Sequence, residues 1–345
     1  MHLHLNLPRK HLPRAIFRSA IAAIALCTMQ AANAQTLTGA GSTFINPIMS
    51  RWIAAYKAAT GSEINYQPIG SGGGISALIS KTVDFAGSDV PMAPSEKSQA
   101  GGAVVTIPDI IGSVVVAYNV PGISNGIAFS GPVLADIFLG KVTYWDDPEI
   151  TKLSPGVKFP HENILVIHRS DGSGTTAIFT DFLSKVSSEW NDGPGTGKSV
   201  AWPVGLGGKG SAGVAGYLKN KPFTIGYVEL AYAIQNDVPY ALVKNKAGTL
   251  VYPSEAAASA AADGIKIPAN LEISITDAPQ SGAYPISGLS FLIVRRSWEK
   301  NPDIKKFITW ILTNGQSAEF TGPGHYSPLP ASLQAKCLAA IGTIH

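Results

Sequence analysis

Ile164-Leu165-Val166-Ile167-His168-Arg169 runs straight into Ser170-Asp171-Gly172-Ser173-Gly174-Thr175-Thr176. The first six residues form a short apolar run of the kind a buried strand makes, and beyond the glycines Phe179, Phe182, Leu183 and Val186 recur at helical spacing. A strand entering a helix through glycine and hydroxyl residues is half of a βα unit. The alternation continues in both directions. Ile48, Trp52, Ile53 and Tyr56 share one helical stripe closed by Gly61, and Ile75, Leu78 and Ile79 begin a short helix directly after Gly70-Ser71-Gly72-Gly73-Gly74. Ile110 to Tyr118 reads as a buried strand, Leu134 to Leu139 as a helix, and Ile225 to Val228 and Leu289 to Val294 as strands. Lys305 to Leu312 and Leu333 to Ile341 read as helices, and the alanine-rich Pro253 to Gly264 as a surface helix with modest packing duties. The fold class is α/β, with a mainly parallel sheet flanked by helices. No Pro/Ser linker cuts the chain once in two, so a two-domain arrangement crosses between domains twice and leaves the first domain discontinuous.

Composition narrows the class. Charged residues make up 14% of the 345, below the roughly 25% of ordinary globular chains, and 45% are hydrophobic, enough to bury a sizeable core. The net charge of +3 comes from the beginning of the chain. Arg9, Lys10, Arg14 and Arg18 precede the apolar run Ala20 to Leu26, and Ala32-Asn33-Ala34 follows. A basic head, a short apolar middle and an A-x-A exit describe a cleaved secretory signal, cut after Ala34, and place the protein in a periplasm. Without those four bases the balance is 22 basic to 23 acidic residues, and nucleic-acid binding loses its main support. Of the two cysteines Cys27 leaves with the signal and Cys337 stays alone, so no internal disulfide forms.

Three times a glycine and hydroxyl run stands before a helical pattern: Gly39-Ala40-Gly41-Ser42-Thr43-Phe44, Gly70 to Gly74, and Asp171-Gly172-Ser173-Gly174-Thr175-Thr176. The first turn of a helix leaves unpaired N–H groups, and the macrodipole adds partial positive charge there. Glycine lets backbone approach closely and Ser or Thr adds a hydroxyl donor. One such corner is an ordinary N-cap; three describe an oxyanion site. Arg169, at the end of its strand, offers a planar fork to an anion, and Asp171 is placed to hold that fork. Asp89, in Phe85-Ala86-Gly87-Ser88-Asp89, is a carboxylate in an anion site. It makes sense when the ligand has a proton to give: phosphate keeps a P–OH near neutral pH and sulfate has none.

These motifs resemble the phosphate-binding protein family of the phosphate-specific ABC transporter. Thr38 to Phe44, Gly70 to Gly74, Asp84 to Asp89 and Arg169 to Thr175 carry the likeness. Ile137 to Lys141 with Trp145-Asp146-Asp147, Gly205 to Gly210, and Ile225 to Glu229 extend it in the same order from about Leu37 to the last helix. The resemblance implies a type II periplasmic-binding-protein clamp of two α/β domains joined by two crossover strands. Residues 35–117 with 286–345 make the discontinuous first domain and 118–285 the second, with one inorganic phosphate in the cleft. It implies that Thr43, Phe44, Ser71, Ser173, Gly174 and Thr175 donate to the anion, that Asp89 accepts its proton, and that Arg169, paired with Asp171, contacts it. Membrane permease subunits are the implied partners; the carrier is monomeric, without cofactor or metal. Ser42 stands where alanine is common in that family and Gly73 where a second serine is common.

Other readings fit less well. Ser173 lacks the G-x-S-x-G elbow, and strand alternation turns His168 to the face opposite Arg169, which argues against a hydrolase relay. Gly207-Gly208-Lys209-Gly210 has Pro203 where a P-loop needs its first glycine and Gly210 where it needs Ser or Thr, and Gly70 to Ile75 fails the dinucleotide fingerprint at its last position. Past the signal the histidines are His161, His168, His325 and His345, none in a ligand-spaced cluster. A sulfate or molybdate carrier is the nearest rival, and Asp89 argues against it.

Overall fold

A computed structural model describes residues 36–345. The expected signal, its cut after Ala34 and Cys27 lie outside the described residues. The strands are β1 Leu37–Gly41, β2 Ile64–Gln67, β3 Phe85–Ser88, β4 Val104–Asn119, β5 Ala128–Phe129, β6 Leu165–Arg169, β7 Leu206–Gly208, β8 Thr224–Glu229, β9 Leu242–Lys244, β10 Leu250–Val251 and β11 Ser287–Arg295. The main helices are α1 Asn46–Thr60, α2 Ser71–Ile79, α3 Gly131–Phe138, α4 Gly174–Val186, α5 Gly210–Asn220, α6 Leu230–Gln235, α7 Glu255–Ala261, α8 Asn301–Thr313 and α9 Ala331–Ile341.

One curled sheet has the order β2-β1-β3-β11-β4-β8-β6-β7, and a small one the order β10-β9-β5. Parallel pairing, as expected, holds in the outer strands: β1 with β2 and β3, and β6 with β7 and β8. The middle is antiparallel, because β4 and β11 carry the chain in opposite directions. Strand β4 spans both halves of the sheet: Val104 to Ser113 pair with β11, and Val114 to Asn119 with β8. The chain returns where Val114 N–H donates to the carbonyl of Ile286, one residue before β11. All nine residues of β11 are buried, as is β4 except at its ends, so both strands read in sequence as unbroken apolar runs.

Helix α1 shows how the sequence sets an element. Pro47 sits in its first turn, and Gly61 closes it in the left-handed conformation (φ 76°) with its N–H on the carbonyl of Lys57. Ile48, Met49, Trp52 and Tyr56 face the core, each such side chain contributing ~1.5–3 kcal/mol through burial, and the Trp52 indole donates to the Gly315 carbonyl at 2.9 Å.

Two expectations need correction. The glycines Gly72 to Gly74 do not precede α2 but form its first turn. A glycine inside a helix costs about 1 kcal/mol against alanine, and here contact requires it: a Cβ on Gly74 would lie 2.4 Å from the Gly41 Cα. Helix α7 is no loose surface helix either. Ala257, Ala258 and Ala261 are buried, and the helix packs on β4 and β11 because methyl side chains allow a close approach. Cys337 is buried and free; burial pushes its thiol up to about 12, with nearby Asp109 adding to the effect. Among the described residues no helix is long and apolar enough to cross a membrane.

Candidate functional site

The carboxyl ends of β1, β2, β3, β6 and β7 all lead toward one place, where an open α/β sheet holds a ligand. Asp89 follows β3 and is almost fully buried (3% exposed). Oδ1 accepts from the Ser42 hydroxyl and from that of Ser290 at 3.2 Å, while Oδ2 lies 3.4 Å from the Ser71 hydroxyl. Burial is the largest influence on this carboxyl and pushes it up to about 6; the Ser42 hydrogen bond and the Arg169 charge pull it back down.

Ser71, first residue of α2, joins two corners: its hydroxyl oxygen accepts the N–H of Asp89 at 3.2 Å and that of Gly174 at 3.1 Å. Gly72 N–H also donates to the Gly172 carbonyl at 2.9 Å. The fit leaves no room for a larger residue, since a Cβ on Gly174 would meet Asp89 Oδ2 and Ser71 Oγ at 2.5 Å. Ser173 caps α4 by accepting the Thr176 N–H. The next hydroxyl, Thr175 Oγ1, is buried and, among the described residues, has no hydrogen-bond partner.

Arg169 holds Asp171 in a two-point grip, Nε to Oδ1 at 2.8 Å and Nη2 to Oδ2 at 2.6 Å, and its side chain is 2% exposed. Asp171 Oδ1 also accepts the N–H of Gly210 at 2.9 Å. Burial is the largest influence on Asp171 and would raise it, but the Arg169 hydrogen bonds and charge with the Gly210 N–H together hold it below the ordinary carboxylate range. With its oxygens engaged in this way, Asp171 orients the guanidinium. The fork leaves the Nη1 donors outside the grip on Asp171. Thr43 Oγ1 lies 2.8 Å from Ser211 Oγ at the start of α5, and the Phe44 ring is buried over Gly112.

All nine residues expected from the sequence fall in one cluster, buried except for the half-buried Asp171, linked through Thr43, Ser211, Gly210, Asp171 and Arg169 on one side and through Asp89, Ser71 and Gly174 on the other. Sequence reasoning missed Ser42, Ser211 and Ser290. Ser211 had a signal: Gly207-Gly208-Lys209-Gly210-Ser211 is a fourth glycine and hydroxyl corner, passed over once it failed as a P-loop. Ser290 had none, because it sits within the apolar strand β11. It pairs with Ile110 beside a register shift that leaves Asp109 of β4 unpaired, since the next residue, Phe291, pairs with Pro108. Ser173 and His168 do not form a relay in this structure. His168 stacks on Trp202 (ring centroids 4.8 Å apart) and its Nδ1 lies 2.9 Å from its neighbour's carbonyl, and among the described residues no hydrogen bond joins it to Ser173. Among the described residues no group of three or more His, Cys, Asp or Glu is placed to hold a metal.

Comparison with known proteins adds an independent line. A family model described as "PBP superfamily domain" matches residues 28–314. The phosphate-binding protein PstS of Xylella fastidiosa is 44% identical over 303 residues, covering 86% of this chain and 82% of the relative. That of Haemophilus influenzae is 42% identical over 317 residues, covering 90% and 93%. Among solved structures, a high affinity periplasmic phosphate-binding protein (PfluDING) bound with phosphate superposes with a TM-score of 0.74 at 23% identity, covering 88% of this chain and 93% of that one.

Proposed function

This chain belongs to the PBP superfamily and, within it, to the PstS phosphate-binding proteins, and on that premise we propose that it captures inorganic phosphate and delivers it to an ABC-type importer. The carrying observation is Asp89: a buried carboxylate set among hydroxyl donors, an arginine and helix starts. In this reading Thr43, Phe44, Ser71, Ser173, Gly174 and Thr175 donate to the anion through hydroxyls and N–H groups, and Arg169 supplies charge. Asp89 accepts the P–OH, which lets phosphate in and leaves sulfate facing lone pairs. The protein acts as a carrier, without a chemical step.

Residues 35–117 with 286–345 and residues 118–285 act as two jaws hinged at the crossovers. Supporting this, β4 changes partner at Val114, and Thr43–Ser211, Ser71–Gly174 and Glu96–Lys198 (2.5 Å) each join residues assigned to different jaws. The monomeric carrier works in the periplasm, released from a leader cut after Ala34, and meets membrane permease subunits there. Capture from dilute solution calls for micromolar binding or tighter, ~8 kcal/mol or more. Isothermal titration of the purified protein with phosphate and with sulfate at pH 8 tests the reading. One phosphate per chain with sulfate silent is expected; absence of phosphate binding overturns it.

A further inference from the structure

Three consecutive carbonyls in the turn from β1 to α1 each accept a hydrogen bond from a different tyrosine. The Tyr66 phenol donates to Ser42 O at 2.9 Å, Tyr232 to Thr43 O at 2.9 Å and Tyr326 to Phe44 O at 2.7 Å. The tyrosines come from β2, from α6 and from the segment before α9, so no local sequence rule brings them together. We propose that this tyrosine clamp is the device that aims the N–H groups of Thr43, Phe44 and Ile45 at the bound anion. Tyr66, Tyr232 and Tyr326 are thus positioning residues for phosphate capture. The proposal rests on the phosphate-carrier reading of the same site.

The geometry follows from the peptide bond. In a planar trans peptide the C=O of one residue and the N–H of the next point in opposite directions, so fixing three carbonyls fixes the three following N–H groups. Among the described residues none accepts a hydrogen bond from the N–H of Thr43, Phe44 or Ile45, whereas the flanking Ser42 and Asn46 N–H groups are bonded to Gly87 O and Thr43 O. Drawing electron density out of each carbonyl also makes the attached N–H a better donor. The rings have dedicated space. A Cβ on Gly87 would lie 2.3 Å from the Tyr66 hydroxyl, and one on Gly324 2.6 Å from the Tyr326 ring. Burial, the largest influence in each case, holds all three phenols above their ordinary range, Tyr232 at about 12, so they stay donors wherever the protein works.

The test compares wild-type protein with Tyr66→Phe, Tyr232→Phe and Tyr326→Phe, reading phosphate affinity by calorimetry and amide proton shifts by NMR. Each variant is expected to bind phosphate about three- to tenfold more weakly. The amide after the freed carbonyl (Thr43, Phe44 or Ile45 respectively) loses part of its phosphate-induced downfield shift, while Gly174 and Thr175 keep theirs. Gly87→Ala, which displaces the Tyr66 phenol without deleting it, reproduces the Tyr66→Phe pattern and serves where a Phe variant does not fold. Wild-type affinity with unchanged shifts at residues 43–45, or a loss spread evenly over all corners, overturns the clamp. Failure of the wild-type protein to bind phosphate overturns the carrier reading instead.

Discussion

A carboxylate and an arginine divide the work of the site. In the proposed reading Asp89, ionised above about pH 6, sets which anion enters, because the carboxylate has no proton to offer an anion that lacks one of its own. In the same reading Arg169 supplies attraction, and its fixed grip on Asp171 means little motion is lost when the anion arrives. Arg169→Ala is expected to weaken phosphate binding by about 2–5 kcal/mol, since the anion loses a buried charged partner. A calorimetric loss below tenfold would remove Arg169 from contact with it. At this scale the sequence was informative about chemistry and silent about support. Asp89 and Arg169 stood out because a charge beside glycines is unusual, whereas Ser42 and Ser290 look like filler until folding sets their hydroxyls against Asp89. The serine standing where alanine is common in the family gives Asp89 a hydrogen bond that lowers its pKa.

The helix start is the working element, and its glycines are there for contact. Gly174 illustrates the limit: its N–H reaches Ser71 Oγ at 3.1 Å only because no Cβ stands between them. If the two proposed jaws meet at this contact, Gly174→Ala keeps the elements of each jaw folded but wedges the jaws apart, and phosphate affinity falls at least as far as in Arg169→Ala. Thermal melts of the ligand-free variant near the wild-type value, with binding lost, are the expected pair of results; intact binding would place Gly174 outside the jaw contact. Most strands and helices were legible because their apolar runs were long. The misjudged pieces have small side chains: the Gly72 to Gly74 turn, the alanines of α7 and the Gly207 to Ser211 corner. Small residues report close approach between elements, which local periodicity does not encode.

Across the whole molecule, the parallel units could be read from alternation, and the two crossings from the lack of a linker. The antiparallel middle depends on the direction in which β4 and β11 pass between the halves, and pairing that distant leaves no local mark. The site also leaves a signature on the stability of the whole fold. Asp89 binds its proton more tightly when folded (about 6) than at its ordinary value of 3.8. Its contribution to ligand-free stability is therefore fully present below pH 4 and is lost as pH rises through 6, amounting to about 3 kcal/mol. Asp109 and Glu229, raised chiefly by burial, act in the same direction, so Asp89→Asn flattens the decline without abolishing it. Denaturant melts across pH 4–8 measure this, and an identical decline in wild-type and variant would contradict it.

The most direct test of proton acceptance by Asp89 is an anion competition at pH 8, where the carboxylate is ionised. Wild-type protein and Asp89→Asn are each titrated with phosphate and with sulfate. The account predicts that wild-type protein binds phosphate and ignores sulfate, while the variant, whose amide donates as well as accepts, binds the two with similar affinity. A variant that still excludes sulfate as the wild-type protein does would contradict it.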